Sequence, residues 1–429
     1  MAILTSPRSL DRNGPPSSPP AAGGRRRSLV VEWLGHPQAS YFLVLVPTLL
    51  LLALGSMMVL SASSVYAFVK FGDAYYFVKR HVVFLLLGGL AAWYLGRSSP
   101  RRLKIIGWGA LAFAFIMQLL TFTSLGFAKN GNRNWVDIGF GLGRVQPSEF
   151  AKLAIVLWGA AILASKHKLL DRPKHLLVPF VPVSLLLIGL VILQRDLGTG
   201  MVLGAIVVAV LWFVGAPWRL LGAMLGSVGV VVAALVATSA SRMGRILGFL
   251  NQDLDPLGVN HQPIKAMFAL ASGGWWGLGL GASRQKWGGL VESHTDYVLA
   301  VIGEELGLVG TLLVLALFLT LGYAGFRVAM RSDIRFCRYA SAGVTSWLMI
   351  QTLVNIGVVL RMIPVLGVPL PLLSYGGSAL LANLCGIGIL LACARQEPQA
   401  RTFATRRRRR QRKAKVSTIV PAEMGTLRR

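Results

Sequence analysis

Apolar runs of about 20 residues recur along most of this chain, and no other feature constrains its fold as tightly. A helix of that length crosses the hydrocarbon core of a bilayer. Such runs lie near 41–66, 80–96, 103–123, 150–165, 176–194, 197–214, 219–237, 297–325, 339–360 and 377–394. In lipid every backbone N–H and C=O must be satisfied internally, so only helices and closed barrels can span. A barrel would read as short alternating segments, and this sequence does not. The expected fold is therefore an all-α polytopic membrane protein of about ten transmembrane helices with one large loop, 238–296. A charged fraction of 14%, against about 25% in soluble domains, points the same way.

The net charge of +28 would suggest nucleic acid on a soluble protein. Here the cations sit beside the spans, which suggests orientation signals and anionic lipid, and no nucleic-acid partner is expected. The two tails and the loops near 97–104, 166–175 and 327–338 hold most of the 44 Lys and Arg. The positive-inside rule then puts both termini in the cytoplasm. Residues 1–40, rich in Pro and Gly, and 396–429, with the run Arg406–Arg410, read as disordered basic cytoplasmic tails around a transmembrane domain at 41–395. The first apolar run would insert as a signal anchor, because Arg25-Arg26-Arg27 is not followed by a short core and cleavage site. Cys337, Cys385 and Cys393 have no metal or disulfide spacing and read as apolar packing.

This topology places every polar motif on the extracytoplasmic side. The cytoplasmic loops carry no P-loop or nucleotide fingerprint, so a substrate with its own leaving group is implied. Arg133 and Trp135 suit a sugar phosphate, the indole stacking on a pyranose and the guanidinium forking onto phosphate; an interfacial Trp with a snorkelling Arg is the plain alternative. In Gln146-Pro147-Ser148-Glu149, Pro147 opens a helix, and Glu149 and Lys152 share a face and can pair structurally. Asp196 is placed to cap the span after Gln194-Arg195. The long loop 238–296 carries Arg242, Arg245, Asp253, Asp255, Arg284 and Lys286, with an amphipathic helix expected at 261–271. Cations there suit a pyrophosphate lipid or simply anionic lipid. His294 lacks partners at metal-ligand spacing and reads as a hydrogen-bonding residue. Glu304 and Glu305 lie deeper in the following helix, where a structural role is expected. Pro364, Pro369 and Pro371 forbid a regular helix ahead of Ser374-Tyr375-Gly376-Gly377-Ser378. Irregular backbone at membrane depth must line a cavity or be buried, and Ser374 with the Gly376 and Gly377 amides can donate to an anion.

Several of these motifs resemble the SEDS family (shape, elongation, division and sporulation), polytopic cell-wall glycosyltransferases. They are Gln146–Lys152, Gln194–Thr199, Ser283–Lys286 with His294-Thr295-Asp296, Ile302–Gly307 and Pro369–Ser378. The wording is most like the division branch. The family's Arg-Trp pair is offset here, Arg133 standing one residue earlier, and Arg195 replaces a proline. The resemblance implies a catalytic Asp296, and cavity-facing Glu149, Lys152 and Asp196. It implies polymerisation of lipid II, a disaccharide-pentapeptide on undecaprenyl pyrophosphate, at the outer face of the bacterial cytoplasmic membrane and the division septum. Asp296 would act as general base, with Arg245, Arg284, Lys286 and Lys152 as cations for the pyrophosphate. The family partner is a class B penicillin-binding transpeptidase, among other division proteins. No cofactor is demanded; a magnesium or manganese ion held by substrate phosphate and one or two carboxylates is left open. A lipid II flippase and an elongation-type glycosyltransferase are the alternative readings. The crowding of polar residues on the outer side favours an outer-face enzyme over a flippase.

Overall fold

The structure is a computed structural model. It describes residues 35–129, 131–137, 139, 143–170, 172–250, 260–287, 290, 293–403 and 405–406. The expectations for 1–34, for 407–429 and for Asp253 and Asp255 lie outside the described residues.

Helices α1 (Ala39–Phe71), α2 (Tyr76–Arg97) and α3 (Pro100–Leu120) open the described chain. Their ends follow local chemistry. Gly72 takes the left-handed conformation that closes α1, and Ser99 caps α3 with Pro100 in its first turn. After the strands described below come α4 (Pro147–Ser165), α5 (Pro173–Leu177), α6 (Phe180–Leu193), α7 (Leu197–Val214) and α8 (Trp218–Ala237). Two short helices, α9 (Ala240–Leu250) and α10 (His261–Ser272), lead to α11 (Val298–Arg331), α12 (Arg335–Val359) and α13 (Gly377–Ala394). Nine of these described helices are long and apolar enough to cross a membrane. The predicted span at 176–194 is the exception. It is split at Val178–Pro179 into α5 and the 14-residue α6, because proline has no N–H to continue the ladder.

α4, α12 and α13 are the buried centre, whereas α2 and α8 show most of their surface. α12 packs on α4, α7 and α11; α13 packs on α2; α8 touches α7 and α9. The bundle has two ends. One, here called the loop end, carries α9, α10, the 361–376 segment and a small sheet. The other holds the turns between α2 and α3 and between α11 and α12, together with the exit of α13.

The all-α polytopic fold is as expected, with one small sheet added at the loop end. Strands β1 (Gly126–Lys129), β2 (Asn132–Asp137) and β3 (Arg144–Val145) form an antiparallel sheet in that order. The Asn130-Gly131 pair is a two-residue hairpin turn sequence, and Gly131 has φ 82°. The large loop is also more ordered than a loop. α10 lies where the amphipathic helix is expected and buries Pro263, Ile264, Ala266 and Ala269.

α11 is broken at Gly307 (φ 68°, ψ −166°). The glycine-rich stretch 273–279 docks into the break. Leu278 and Gly279 N–H donate to the carbonyls of Glu304 (2.9 Å) and Glu305 (3.0 Å), while Leu308 and Val309 N–H donate to Gly274 (2.9 Å) and Trp275 (3.2 Å). Backbone groups released by the kink are thus satisfied by a second segment, as lipid requires. A Cβ at Gly307 would meet the Trp275 carbonyl oxygen at 2.6 Å in a conformation L-residues avoid. Gly307→Ala is therefore expected to cost about 1–3 kcal/mol, seen as a lower thermal unfolding midpoint of the detergent-purified protein.

Candidate functional site

The loop end is assembled by polar side chains rising from the central helices. Asn355 of α12 donates to the backbone carbonyls of Asp296 (2.7 Å) and Val368 (2.8 Å). One turn deeper, Gln351 donates to the Pro369 carbonyl (2.9 Å) and accepts from Trp347 (2.9 Å) and Lys152 (3.0 Å). Lys152 in turn donates to Glu149 at 2.7 Å, both side chains being almost fully buried. The pair joins α4 to α12 and, through Gln351, to the proline-rich segment. Its geometry is that of a structural ion pair.

Asp196 caps α7 and gathers more besides. Its carboxylate accepts from Thr199 N–H and hydroxyl, from Asn134 of β2 (2.7 Å) and from Gln146 (3.2 Å). The Gln146 N–H donates to Ser378 of α13. Asp196 thus clasps the sheet and the starts of α4 and α7, while still lining a cavity.

Two large cavities open at this end. The first, about 580 Å³, is lined by Trp135, His294, Thr295, Gly376 and Gly377, together with Lys70, Arg80, Arg144, Tyr66 and Tyr375. The His294 ring sits among those of Tyr66, Phe77 and Tyr375, with centroids 5.7, 4.9 and 5.8 Å away. Arg80 lies over the Tyr76 ring at 4.3 Å; burial raises the Tyr375 phenol's pKa and the nearby Arg80 charge opposes the rise. The second cavity, about 460 Å³, has three arginines, Arg195, Arg242 and Arg245, facing apolar side chains of α7, α8 and the segment 363–366.

Asp296 lines neither cavity but adjoins both through its neighbours. Thr295, its neighbour, lines the first cavity. Its own Oδ2 lies 3.6 Å from where a Cβ on Gly367 would sit, and Leu366, next to Gly367, lines the second. The carboxylate is half-buried. Arg195 (φ 67°), Arg361 (φ 54°) and Leu372 (φ 63°) hold left-handed backbone in the segments around it, a strain that persists only where surrounding contacts impose it.

Several predicted site residues lie elsewhere. Arg133 folds back to the Thr123 carbonyl (2.7 Å). Lys286 is buried against Glu305 (3.3 Å) and the Gly281 carbonyl, so its charge is taken by an internal carboxylate. The Arg284 N–H and the Ser283 hydroxyl bind Glu304, which leaves the exposed Arg284 side chain outside both cavities. Ser374 accepts from the Leu370 N–H and closes its own turn. None of these, nor Glu149 or Lys152, lines either cavity. Glu304 and Glu305 are both engaged internally, Glu305 also accepting from Ser61 at 2.6 Å. In their place Lys70, Arg80 and Arg144 supply the cations of the first cavity. The signal for Arg80 is a basic residue in the first turns of a span, at Lys79-Arg80-His81.

The family model described as cell cycle protein, covering FtsW, RodA and SpoVE, matches residues 41–399. The chain belongs to this family. The probable peptidoglycan glycosyltransferase FtsW of Mycobacterium tuberculosis is 38% identical over 391 residues, covering 91% of this chain and 74% of that protein. Stage V sporulation protein E of Bacillus subtilis is 37% identical over 363 residues, covering 82% and 96%. Among solved structures, the rod shape determining protein RodA of Thermus thermophilus superposes with a TM-score of 0.59 at 29% identity, covering 86% and 99%. A chain from a structure on coordination of polymerization and crosslinking by a peptidoglycan synthase complex reaches 0.65 at 29% identity, covering 85% and 98%. For this FtsW/RodA/SpoVE chain, the polytopic helical fold and the membrane location follow from its nine apolar helices and this kinship.

The Glu149–Lys152 pair gives a test that separates structure from catalysis. Lys152→Met alone strands a buried carboxylate and should cost about 3–5 kcal/mol. Adding Glu149→Gln should return most of that loss, read as thermal unfolding in a double-mutant cycle.

Proposed function

We propose that this chain is a peptidoglycan glycosyltransferase that polymerises lipid II at the outer face of the cytoplasmic membrane during septal division. The observation that carries this reading is Asp296, a half-buried carboxylate whose neighbours line two arginine-bearing cavities. A polymerase must hold two lipid-linked sugars with their reacting atoms adjacent. Two cavities adjoining one carboxylate meet that need. Kinship with FtsW proteins named as probable peptidoglycan glycosyltransferases supports the reaction class and the division branch.

In this reading a GlcNAc 4-hydroxyl attacks the anomeric carbon of MurNAc. Asp296 takes the hydroxyl proton as the new C–O bond forms. The bond to pyrophosphate breaks and its electron pair leaves with undecaprenyl pyrophosphate. Charge develops on that leaving group, and Lys70, Arg80 and Arg144 are placed to meet it in the first cavity. Trp135 on the same wall can stack on a sugar ring. Among the described residues no group of three or more His, Cys, Asp or Glu could hold a metal ion. A magnesium or manganese ion, where used, would rest on substrate phosphate with Asp296 or Asp137.

The loop end faces outward and both tails lie in the cytoplasm, because the short loops of the opposite end are basic. A class B penicillin-binding transpeptidase is the partner that would crosslink the strands. The likeness to a chain of a peptidoglycan synthase complex, in which polymerization and crosslinking are coordinated, supports that pairing.

Lipid II polymerisation by the purified protein with its cognate transpeptidase tests the reading. Asp296→Asn should reduce strand synthesis by about 10²–10⁴-fold without lowering the unfolding midpoint. Equal strand synthesis by wild type and variant would remove Asp296 as the base. Lipid II crossing liposomes with no strand made would replace the enzyme with a flippase. Arg80→Gln should lower kcat/KM by about 10²-fold, whereas Arg284→Gln should leave it within about twofold, as for an ordinary surface substitution.

A further inference from the structure

A third cavity lies at the opposite end of the bundle from the site described above. It measures about 500 Å³ and is lined by Asp333, Pro398, Arg401, Thr402, Thr405 and Arg406. Its walls leave the bilayer together: Asp333 follows the end of α11 at Arg331, and Pro398 follows the end of α13 at Ala394. Paired aromatic and basic side chains mark the headgroup level at this end. Arg97 lies over the Trp93 ring at 4.0 Å and Arg395 over the Tyr41 ring at 5.0 Å, the arrangement expected where apolar spans meet water.

The charges in the cavity do not cancel. Among the described residues no carboxylate ion-pairs with Arg401 or Arg406. Asp333 supplies one negative charge against their two positive ones. The hydroxyls of Thr402 and Thr405 donate to the Gln399 and Arg401 carbonyls, so the two guanidinium groups are the donors left for a ligand. Guanidinium forks match the two free oxygens of a phosphodiester. An anionic phospholipid presents that group at this depth, with its acyl chains in the adjoining bilayer.

We propose that the Arg401–Arg406 cavity is a binding site for the phosphate of an anionic lipid headgroup. The test uses the full-length protein in nanodiscs of phosphatidylcholine doped with cardiolipin or phosphatidylglycerol, with lipid retention read by native mass spectrometry. The double variant Arg401→Gln/Arg406→Gln should retain anionic lipid roughly 25-fold more weakly, about fivefold for each arginine. Arg401→Lys/Arg406→Lys keeps the charge but loses the fork, and should fall between. An unchanged unfolding midpoint in phosphatidylcholine alone shows that the variants fold. Arg408→Gln/Arg409→Gln removes as much charge from the adjoining basic run and should lose clearly less. An equal loss there would overturn a built site in favour of diffuse attraction to the tail. Displacement by millimolar inorganic phosphate would overturn the lipid assignment in favour of a soluble anion. Wild-type retention in the first double variant would overturn the proposal outright.

Discussion

Lys152 puts a full positive charge into the centre of an apolar bundle, and the loop end is built around that cost. An isolated ammonium ion is not stable in such surroundings. Glu149 neutralises it at 2.7 Å and Gln351 shares its protons at 3.0 Å. Gln351 then holds the Pro369 carbonyl, and Asn355, one turn further along α12, holds Val368 and the backbone of Asp296. The proline-rich segment cannot satisfy its own backbone by helix formation. It takes hydrogen bonds from α12 instead, and so is fixed beside Asp296. The buried ion pair acts on the site through position rather than through contact with either cavity.

A second polar cluster does the same work from the other side. Glu304 and Glu305, at the break in α11, take up Ser283, the Arg284 N–H, Lys286 and Ser61. These contacts tie the loop before Asp296 to α11 and α1. Asp196 ties β2 to α4 and α7. Three separate carboxylate clusters thus hold the frame, while Lys70, Arg80 and Arg144 line one cavity and Arg195, Arg242 and Arg245 the other.

Much of the architecture was legible in the sequence because lipid leaves few choices. Each span is an apolar run of fixed length, and ten runs foretold nine long helices and the shorter α6. The sheet was hidden because its strands are short and largely polar, with few turn signals between them. Within the site, Trp135, His294, Gly376 and Gly377 converge on one cavity although they come from three distant segments. Lys286 shows what sequence cannot tell. A lysine in a loop looks available to a ligand until the structure shows a buried acid, Glu305, waiting 19 residues on. Arg80 shows the converse. It is one basic residue at the start of a span, and only its place over the Tyr76 ring and beside Tyr375 reveals a cavity wall.

The central claim is that the pyrophosphate of a lipid-linked sugar sits on Lys70, Arg80 and Arg144 with the reacting sugar turned toward Asp296. The most direct measurement is a cryo-electron microscopy structure of the Asp296→Asn protein with lipid II and its transpeptidase. The account predicts phosphate density within hydrogen-bonding distance of the Arg80 guanidinium, and a sugar between Trp135 and residue 296. Phosphate density at Arg284, with the Arg80 cavity empty, would contradict it.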